Sequence, residues 1–464
     1  MKAAYTVAFL DFSGAVKIKI LDVGLRRLKP TQILAVGFAL LILTGAVLLT
    51  LPISASDGKS VGFLDALFTS TSAVCVTGLV VVDTGTRYSL FGQIVVMCLI
   101  QMGGLGIMTM ATTVFLLLGK KITLRERMVM QEALNQSTLS GLVKLSRNIL
   151  ITTLIFEGTG AALLALRFSQ IYGPTRGIYY GVFHAVSAFN NAGFDVIGNF
   201  KNLTPFVEDP LINCVIMGLI IFGGLGFSVI QDIITKKNFK HLCLHSKIVI
   251  VTTLLLLTCG FVAFYAIESS NPYTLGGLST KGKILAAAFQ SVTPRTAGFN
   301  TINLADLKMP SKYLTILLMY IGASPGSTGG GIKTSTFAVI IMMIYTILAS
   351  KEDVEISGRR IPYDNIFKAA VIGVIALLLI FTSSFILTMT ENTDFMSILF
   401  ETTSAFGTVG LSLGLTPNLT DIGKVVIILT MFAGRVGPLT LAMALGGRTN
   451  KAMIRFPEER VLVG

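Results

Sequence analysis

The stretch LFTSTSAVCVTGL, residues 67–79, recurs in altered form three more times along the chain. In every copy a phenylalanine precedes small polar residues, and a glycine followed by a large apolar residue closes the stretch. The glycines recur at intervals of 115, 105 and 112 residues. The later copies are VFHAVSAFNNAGF (182–194), AFQSVTPRTAGF (288–299) and LFETTSAFGTVGL (399–411). A single copy fits a helix capped by a glycine at its C-terminus, but four copies indicate an internal repeat.

Long apolar segments flank each copy. Eight segments are apolar over the roughly 20 residues that a helix needs to cross a hydrocarbon core of about 30 Å. They are 31–51, 91–118, 146–168, 211–234, 247–267, 312–347, 366–390 and 421–445. The repeated motifs end four shorter segments, 62–74, 178–190, 283–293 and 395–406, which are too short to span and predict re-entrant helices. The sequence therefore predicts an all-α polytopic membrane protein with a fourfold pseudo-symmetric unit of helix, re-entrant pore helix with filter loop, and helix around one central pore.

The composition is typical of a membrane protein, and the positions of the basic residues predict its orientation. The chain is 53% hydrophobic and 13% charged, with a mean hydropathy of +0.77 and a net charge of +13. Of its 37 Lys and Arg residues, 24 lie in the termini and in the loops between repeats, and 9 lie in loops on the other side. This asymmetry predicts that both termini are cytoplasmic. The charge is then a topology signal, with the lipid bilayer and not nucleic acid as the partner.

The repeat divides the chain into six expected parts. A cytoplasmic N-terminal segment, 1–30, lacks a cleavable signal and is expected to form an amphipathic surface helix. The four pore repeats are expected at 31–118, 146–234, 247–347 and 366–445, and a cytoplasmic tail at 446–464. The five cysteines show no C-x-x-C spacing, so neither a metal site nor a disulfide framework is expected.

The glycine motifs suit a site for a cation. A short helix that enters the membrane directs the negative end of its dipole, roughly half an elementary charge, inward. Glycine adopts a positive φ without penalty, so that successive carbonyls of a strand can face one axis. Rings of carbonyls that replace a hydration shell select potassium in channels, and TVG at Thr408–Gly410 follows that pattern.

A polar, glycine-rich stretch, GASPGSTGGGIKTST (322–336), interrupts the sixth apolar segment. It does not fit a phosphate-binding loop, because Ile332 separates Gly331 from Lys333. Pro325 removes a backbone donor, and each glycine weakens a helix by about 1 kcal/mol relative to alanine. The helix is therefore expected to break into a loop at 322–331 that faces the water of the pore and acts as a gate. The expected gate residues are Gly326, Gly329, Gly330, Gly331, Lys333 and Arg435.

The motifs VTGL, NNAGF, RTAGF and TVGL, in this order and each between two apolar segments, resemble the Trk/Ktr/HKT superfamily of potassium transporters, most closely the bacterial Ktr membrane subunit. The resemblance covers nearly the whole chain from residue 31 onward, and it implies the same intramembrane gate. It also implies that backbone carbonyls of four filter strands bind potassium. The strands are Val76, Thr77, Gly78 and Leu79; Asn191, Ala192, Gly193 and Phe194; Thr296, Ala297, Gly298 and Phe299; and Thr408, Val409, Gly410 and Leu411.

The same resemblance implies a cargo and partners. Some plant relatives carry serine at the first filter glycine and favour sodium, so Gly78 favours potassium. Three of the four loops depart from the TVGYG of potassium channels. The resemblance further implies a plasma-membrane homodimer on a cytosolic ring that binds adenine nucleotides. The basic segments KKITLRERM (120–128) and KKNFKHLCLHSK (236–247) are candidates to receive the ring. No organic cofactor is expected on this chain, and a role for sodium as activator stays open.

Charged residues inside the apolar segments allow several interpretations, since a buried charge costs roughly 2.5–3.5 kcal/mol on insertion scales. Arg435 is either an electrostatic barrier, a hydrogen-bond donor to the gate loop, or the partner of an acid such as Glu157. Lys333 either takes part in gating or extends towards the cytoplasm. Arg295 is expected to brace the third filter loop, and Asp65 and Glu401 are expected to be structural or outer-mouth acids.

Mid-span glycines also allow two interpretations. MGGLGIM (102–108), FGGLGF (222–227) and AGRVGPL (433–439) stand in the second apolar segment of the other repeats. The first two of these motifs fit either close helix packing or a hinge. Only the third repeat has a strongly broken segment by sequence, which counts against the alternative of a sodium- or proton-coupled carrier that works by alternating access. A membrane enzyme is not indicated, because no cluster of His, Asp or Glu shares a helix face.

Overall fold

Four uninterrupted helices form the first span of each repeat. The computed structural model describes residues 29–117, 122–134, 141–437, 439–441, 457 and 459, so the surface helix expected at the N-terminus and most of the C-terminal tail lie outside the described residues. The first spans are Pro30–Thr50, Leu142–Tyr172, Leu244–Glu268 and Tyr363–Thr390. Each is long and apolar enough to cross a membrane. These helices match the apolar segments that the sequence predicts at the same places.

Four shorter pore helices follow the first spans, as the re-entrant segments predict. They are Phe63–Val74, Pro174–Phe189, Thr280–Val292 and Phe395–Gly407. The third and fourth begin at side-chain caps, where Ser279 accepts a hydrogen bond from the backbone N–H of Gly282 and Asp394 accepts one from Ser397. The phenylalanine of each repeated motif lies on its pore helix and is completely buried, which explains its recurrence. These are Phe68, Phe183, Phe289 and Phe400.

Hydroxyl groups and a glycine hold pore helices against first spans. Ser70 donates to the carbonyl of Ile42 at 2.6 Å, and Ser291 donates to Leu257 at the same distance. A Cβ on Gly260 would meet the Ser291 hydroxyl at 2.5 Å, so the glycine permits the close approach. Because a hydroxyl group buried inside the protein needs a hydrogen-bond partner, these bonds fix which face of the pore helix meets the span.

The second span is interrupted in every repeat. Its two halves are Leu90–Leu105 and Ile107–Leu117, Pro210–Leu225 and Phe227–Lys236, and Met309–Tyr320 and Thr334–Leu348; in the fourth repeat Asp421–Val436 ends at Gly437. The interrupting glycines Gly106, Gly226 and Gly437 have φ of 83°, 94° and 93°. The second repeat bends by 95° at its break.

The prediction that only the third repeat is strongly broken is therefore wrong. One glycine at positive φ suffices to end a helix, and the sequence does not distinguish it from a glycine that only serves packing. Both interpretations of the mid-span glycines hold, but for different residues. Gly103, Gly223 and Gly434 remain helical, and a Cβ on each would collide with a carbonyl at the end of the pore helix in the same repeat: Val74, Phe189 and Phe406 respectively.

Polar contacts join the end of each first span to the start of the second. Arg167 pairs with Asp209 at 2.6 Å in the second repeat. Glu268 accepts from the backbone N–H of Lys308 at 2.9 Å in the third, and Glu391 accepts from Thr420 at 3.1 Å in the fourth. In the first repeat the backbone N–H of Ser89 donates to Ser54 at 2.9 Å. These contacts close each repeat at the end opposite to the helix breaks.

The remaining elements are short. The α-helices Thr84–Arg87 and Leu124–Ala133 lie in loops, and an antiparallel hairpin pairs Glu355–Ile356 with Arg359–Arg360 between the third and fourth repeats. Single 3₁₀ turns occupy Pro52–Ser54, Thr204–Phe206, Phe239–His241, Leu304–Asp306 and Thr416–Asn418.

Candidate functional site: a ring of four loops

The four loops after the pore helices share one unusual backbone conformation. In each loop the first residue and the glycine two positions later both have positive φ. The first residues are Val76 (54°), Asn191 (58°), Thr296 (64°) and Thr408 (51°), and the glycines are Gly78 (91°), Gly193 (71°), Gly298 (76°) and Gly410 (89°). Positive φ is strained for a β-branched residue, so Val76, Thr296 and Thr408 are held there by the surrounding fold. The pore-helix ends thus impose one strand shape four times.

The loops meet one another in a closed ring. A Cβ on Gly78 would lie 2.5 Å from the carbonyl oxygen of Ala192, one on Gly193 would lie 2.8 Å from that of Ala297, and one on Gly298 would lie 2.6 Å from that of Val409. A Cβ on Gly410 would collide with the carbonyl oxygen of Thr77, which returns to the first repeat. Every glycine therefore faces the loop of the next repeat, and only glycine leaves room for that approach.

A hydroxyl group on each pore helix, or directly after it in the third repeat, braces the loop, and sequence reasoning missed these residues. Ser72 and Ser404 accept hydrogen bonds from the backbone N–H of Gly78 and Gly410, at 3.0 and 3.1 Å. Ser187 donates to the carbonyl of Phe194 at 2.7 Å, and Thr293 donates to Phe299 at 2.5 Å. The signal was a Ser or Thr five or six residues before each glycine, in a run that contains several small polar residues.

A cavity of about 280 Å³ opens on one side of the ring. All four ring glycines line it, together with the loops that follow them. Asp83 and Asp195 contribute carboxylates to the lining, and none of the residues lining it is Lys, Arg or His. Burial raises the pKa of Asp195 to about 7, and the negative charge of Asp83 acts in the same direction. We call this space the entrance cavity.

Asp83 and two further acids near the ring have structural partners. Asp83 accepts from the backbone N–H groups of Asn199 and Phe200 at 2.9 and 3.1 Å, which joins the loops of the first two repeats. Asp65 forms an ion pair with Lys424 at 2.7 Å. Glu401 is completely buried behind the fourth loop and accepts hydrogen bonds from Ser412 and Thr416. The structural interpretation of Asp65 and Glu401 fits these contacts.

On the opposite side of the ring, the interrupted span of the third repeat lies directly against the loops. The stretch 321–333 is held at its neck, where the N–H of Gly322 donates to Ile332 at 2.8 Å. The N–H of Gly330 donates to the hydroxyl of Thr408 at 3.1 Å, and a Cβ on Gly329 would collide with the hydroxyl of Thr296. Residues 321–333 therefore touch the first residue of at least two ring loops; we call this stretch the under-ring loop.

Contacts with the second repeat fix the under-ring loop further. Thr328 donates through its backbone N–H to Gly223 at 3.2 Å and through its hydroxyl to Phe189 at 3.2 Å. The N–H of Ser324 donates to Gly224 at 3.0 Å, and the N–H of Phe227 donates to Gly326 at 3.0 Å. The helix break at Gly226 leaves the backbone groups that make these bonds free of helix partners. The second repeat therefore holds the loop in place through buried backbone groups that have no partner within the helix.

The two basic residues expected at the gate bind the under-ring loop. Lys333 donates to the carbonyl of Gly329 at 2.7 Å and lies 3.4 Å from that of Gly330, so it turns back onto the loop and does not extend away from it. Arg435 donates to the carbonyls of Thr328, Gly103 and Gly104, the last at 3.2 Å. Among the described residues, Arg435 forms no ion pair with Glu157, which bonds to Gln101 and Asn190 instead.

Arg295 contacts the second loop through its backbone. Its carbonyl accepts a hydrogen bond from the Asn191 side chain at 3.1 Å. Its guanidinium reaches the hydroxyl of Thr253 on the first span of the third repeat, at 3.4 Å. These contacts agree with a bracing role for the residue.

Comparison with known proteins identifies the family of this chain. A family profile described as "TrkH: Cation transport protein" matches residues 18–448. The chain belongs to the TrkH family of cation transport proteins. This TrkH-family chain is 46% identical to the Ktr system potassium uptake protein B of Bacillus subtilis, over 94% of this chain and 97% of the relative. It is 40% identical to the potassium/sodium uptake protein NtpJ of Enterococcus hirae, over 95% of this chain and 98% of the relative.

A solved structure has the same fold as this TrkH-family chain. It is the potassium transporter TrkH from Vibrio parahaemolyticus, matched with a TM-score of 0.70 at 18% identity over 90% of this chain and 84% of that chain. The match confirms the predicted all-α membrane fold with a fourfold repeat, and the family confirms the resemblance on which the sequence prediction rested. Membership in a transport family also confirms that the TrkH-family chain is not an enzyme.

Proposed function

We propose that this chain takes up potassium across the plasma membrane through the ring of four loops. The ion passes from the entrance cavity through the ring and is stopped or released by the under-ring loop. The coordinating oxygens are the backbone carbonyls of the four filter strands, from Val76, Asn191, Thr296 and Thr408 onward. The membrane potential drives the flux, because a cation moves down it without any coupled reaction.

The closed contact of the four glycines is the observation that carries this proposal. Carbonyl oxygens of Thr77, Ala192, Ala297 and Val409 lie beside the glycine of a neighbouring repeat, so that four repeats contribute oxygens at one level. Polar backbone inside a membrane is tolerated where it is buried in protein or lines a water-filled path. A ring of carbonyls there replaces the water shell of a monovalent cation. The two carboxylates of the entrance cavity raise the local concentration of cations.

Relatives support potassium as the cargo. Two proteins with 40% identity or more to this chain carry potassium uptake in their names, and one of them also carries sodium. We therefore propose potassium as the transported ion and leave sodium as a candidate activator. The second candidate function is a sodium- or proton-coupled potassium carrier that works by alternating access. The breaks in all second spans favour it, because broken helices form the binding sites of many carriers. No carboxylate contributes to the ring itself, and this favours conduction.

The charge distribution supports an orientation and a partner. We propose that the termini and the under-ring loop face the cytoplasm, because the loops on that side carry most of the basic residues. The exposed residues Lys236, Lys237 and Lys240 belong to this face. We further propose a homodimer that docks there on a cytosolic nucleotide-binding ring, as the resemblance to the Ktr membrane subunit implies.

Serine substitutions at the ring glycines test the function. Each variant, Gly78→Ser, Gly193→Ser, Gly298→Ser and Gly410→Ser, is expressed in cells that lack their own potassium uptake, and growth and ion uptake are measured at limiting potassium. Each added Cβ would push a carbonyl of the neighbouring loop and strain a backbone held at positive φ. We therefore expect that uptake falls or that the protein no longer prefers potassium over sodium.

Gly358→Ser is the matched control. Gly358 also has positive φ, 71°, but a Cβ there meets nothing within 4 Å. It should reproduce the backbone strain without disturbing the ring, so uptake should stay at the wild-type level at equal membrane abundance. Wild-type uptake and wild-type selectivity in all four ring variants would rule out the proposed function.

A further inference from the structure

Three polar side chains from three helices meet inside the membrane region behind the second filter loop. Glu157 lies on the first span of the second repeat, Gln101 on the second span of the first repeat, and Asn190 at the C-terminus of the second pore helix. Asn190 is completely buried and Glu157 is 8% exposed. None of the three belongs to the ring or to the under-ring loop.

The three side chains form a closed triangle of hydrogen bonds. Asn190 donates through Nδ2 to Oε1 of Glu157 at 2.9 Å and to Oε1 of Gln101 at 2.8 Å. Gln101 donates through Nε2 to the other carboxyl oxygen, Oε2 of Glu157, at 3.1 Å. The carboxyl group therefore accepts through both oxygens and donates to neither amide. Among the described residues no basic side chain forms an ion pair with it.

The orientation of the Asn190 amide is set by the acceptors that surround Nδ2. Its Oδ1 is buried against Gly104 and has no hydrogen-bond partner in the described part of the chain. Its Nδ2 also lies 2.9 Å from the carbonyl of Val186. Reversing the amide would place Nδ2 against Gly104 and would turn Oδ1 towards the two acceptors. The triangle therefore holds only if position 157 presents an acceptor to Asn190 and a second acceptor to Gln101.

Asn190 immediately precedes the second filter strand. The next residue, Asn191, has the positive φ of 58° that turns the chain into the ring, and its side chain donates to the carbonyl of Arg295 in the third repeat at 3.1 Å. A change in the direction of Asn190 would move the carbonyls of Asn191 and Ala192. In contrast, the other three loops are preceded by Cys75, Arg295 and Gly407, none of which bonds to a carboxyl group among the described residues.

We propose that Glu157 is a positioning residue that sets the cation preference of the ring through Asn190. This rests on the proposed function, because it assumes that the second filter strand binds the transported cation. A carboxyl group behind one strand then makes the four strands unequal, and the second strand depends on an acceptor supplied by the first span of its own repeat.

An exchange of the two side chains tests the proposal. Glu157→Gln places an amide N–H against either Asn190 or Gln101, and Gln101→Glu places two carboxyl groups in contact. The double variant Glu157→Gln with Gln101→Glu restores the triangle, since Asn190 again donates to two acceptors and the amide at 157 donates to the carboxyl group at 101. The readout is the ratio of KM values for potassium, rubidium and sodium in uptake assays.

Each single variant should change the potassium-to-sodium ratio by roughly five- to tenfold, from the loss of one buried hydrogen bond. The double variant should return most of the wild-type ratio. A purely structural role would lower abundance or melting temperature in all three variants without changing the ratio. A wild-type ratio in Glu157→Gln, or a double variant no closer to wild type than the worse single variant, overturns the proposal.

Glu268→Gln is the matched control. Glu268 is a completely buried carboxyl group that accepts from Asn271 and Thr274 at 2.7 and 2.6 Å, in the first span of the third repeat and away from the filter strands. Its loss should lower the melting temperature and leave the cation ratio unchanged. The ring-glycine variants separate this inference from the function: if they lose selectivity while the exchange has no effect, only the role of Glu157 fails.

Discussion

The guanidinium of Arg435 donates a hydrogen bond to the carbonyl oxygen of Thr328, in the middle of the under-ring loop. The same guanidinium donates to the carbonyls of Gly103 and Gly104, at the end of the first half of the second span in repeat 1. One side chain of the fourth repeat thus joins the first and third repeats beneath the ring. Because the carbonyls are free only where a helix is interrupted, the breaks supply the acceptors for this clamp.

Arg435→Ala should increase ion flux through the protein. Hydrogen bonds from a charged donor are worth about 1.5–3 kcal/mol each, so their loss should raise the open population by about tenfold or more. The measurement is potassium or rubidium flux into vesicles that contain the purified protein. Arg435→Lys keeps the charge but presents a single ammonium group, so its flux should lie between wild type and Arg435→Ala.

Abundance and melting temperature of the two Arg435 variants in detergent separate gating from misfolding. Equal flux in wild type and Arg435→Ala, at equal protein content, would contradict the clamp. A variant with a low flux and a normal melting temperature would instead support an electrostatic role of the charge in conduction.

A shorter under-ring loop should also increase flux. Deletion of residues 326–328 removes Thr328, which bonds to Gly223 and Phe189, and shortens the chain that lies below Thr296 and Thr408. The loop then fills less of the path, and we expect vesicle flux at least severalfold above wild type without a change in cation preference, since the ring is untouched.

One result of the deletion would contradict the gate, and a second deletion serves as its control. Flux at or below the wild-type rate in protein that still melts cooperatively would mean that residues 321–333 do not obstruct the path. A deletion of the same length in the hairpin loop around Ser357 and Gly358, which lies between repeats, is the control for a general effect of shortening.

The sequence predicts the ring because the same glycine motif recurs after each of the four pore helices. Four glycines after four pore helices predict four bends, and the structure brings Gly78, Gly193, Gly298 and Gly410 into one ring. The helix breaks at Gly106 and Gly226 were not accessible in the same way, since a glycine in an apolar helix serves packing as readily as a turn. The sequence does not predict the partners of Arg435 either, because they are backbone carbonyls, which any residue type supplies.

The brace of the third filter strand is expected to maintain selectivity. Thr293 donates its hydroxyl to the carbonyl of Phe299 at 2.5 Å. Thr293→Val keeps the shape and removes the donor, which leaves a buried carbonyl without that bond at a cost of about 1–3 kcal/mol. We expect a lower melting temperature and a smaller preference for potassium over sodium. Thr293→Ser keeps the hydroxyl and should retain the preference, and equal selectivity in the Val and Ser variants would show that the brace is dispensable.

Uptake at low potassium should depend on external pH through Asp195. Burial raises the pKa of this carboxyl group to about 7, so it is mostly ionised at about pH 8 and mostly protonated at about pH 6. The negative charge in the entrance cavity therefore falls as the pH falls, and the KM for potassium should rise severalfold while the maximal rate changes little. Asp195→Asn should give the high KM at both pH values. Asp421→Asn, at an exposed carboxylate that does not line the cavity, should keep the wild-type pH dependence. The proposed pH dependence arises from the titration of Asp195, and asparagine does not titrate. An unchanged pH dependence in Asp195→Asn would therefore show that another group causes it.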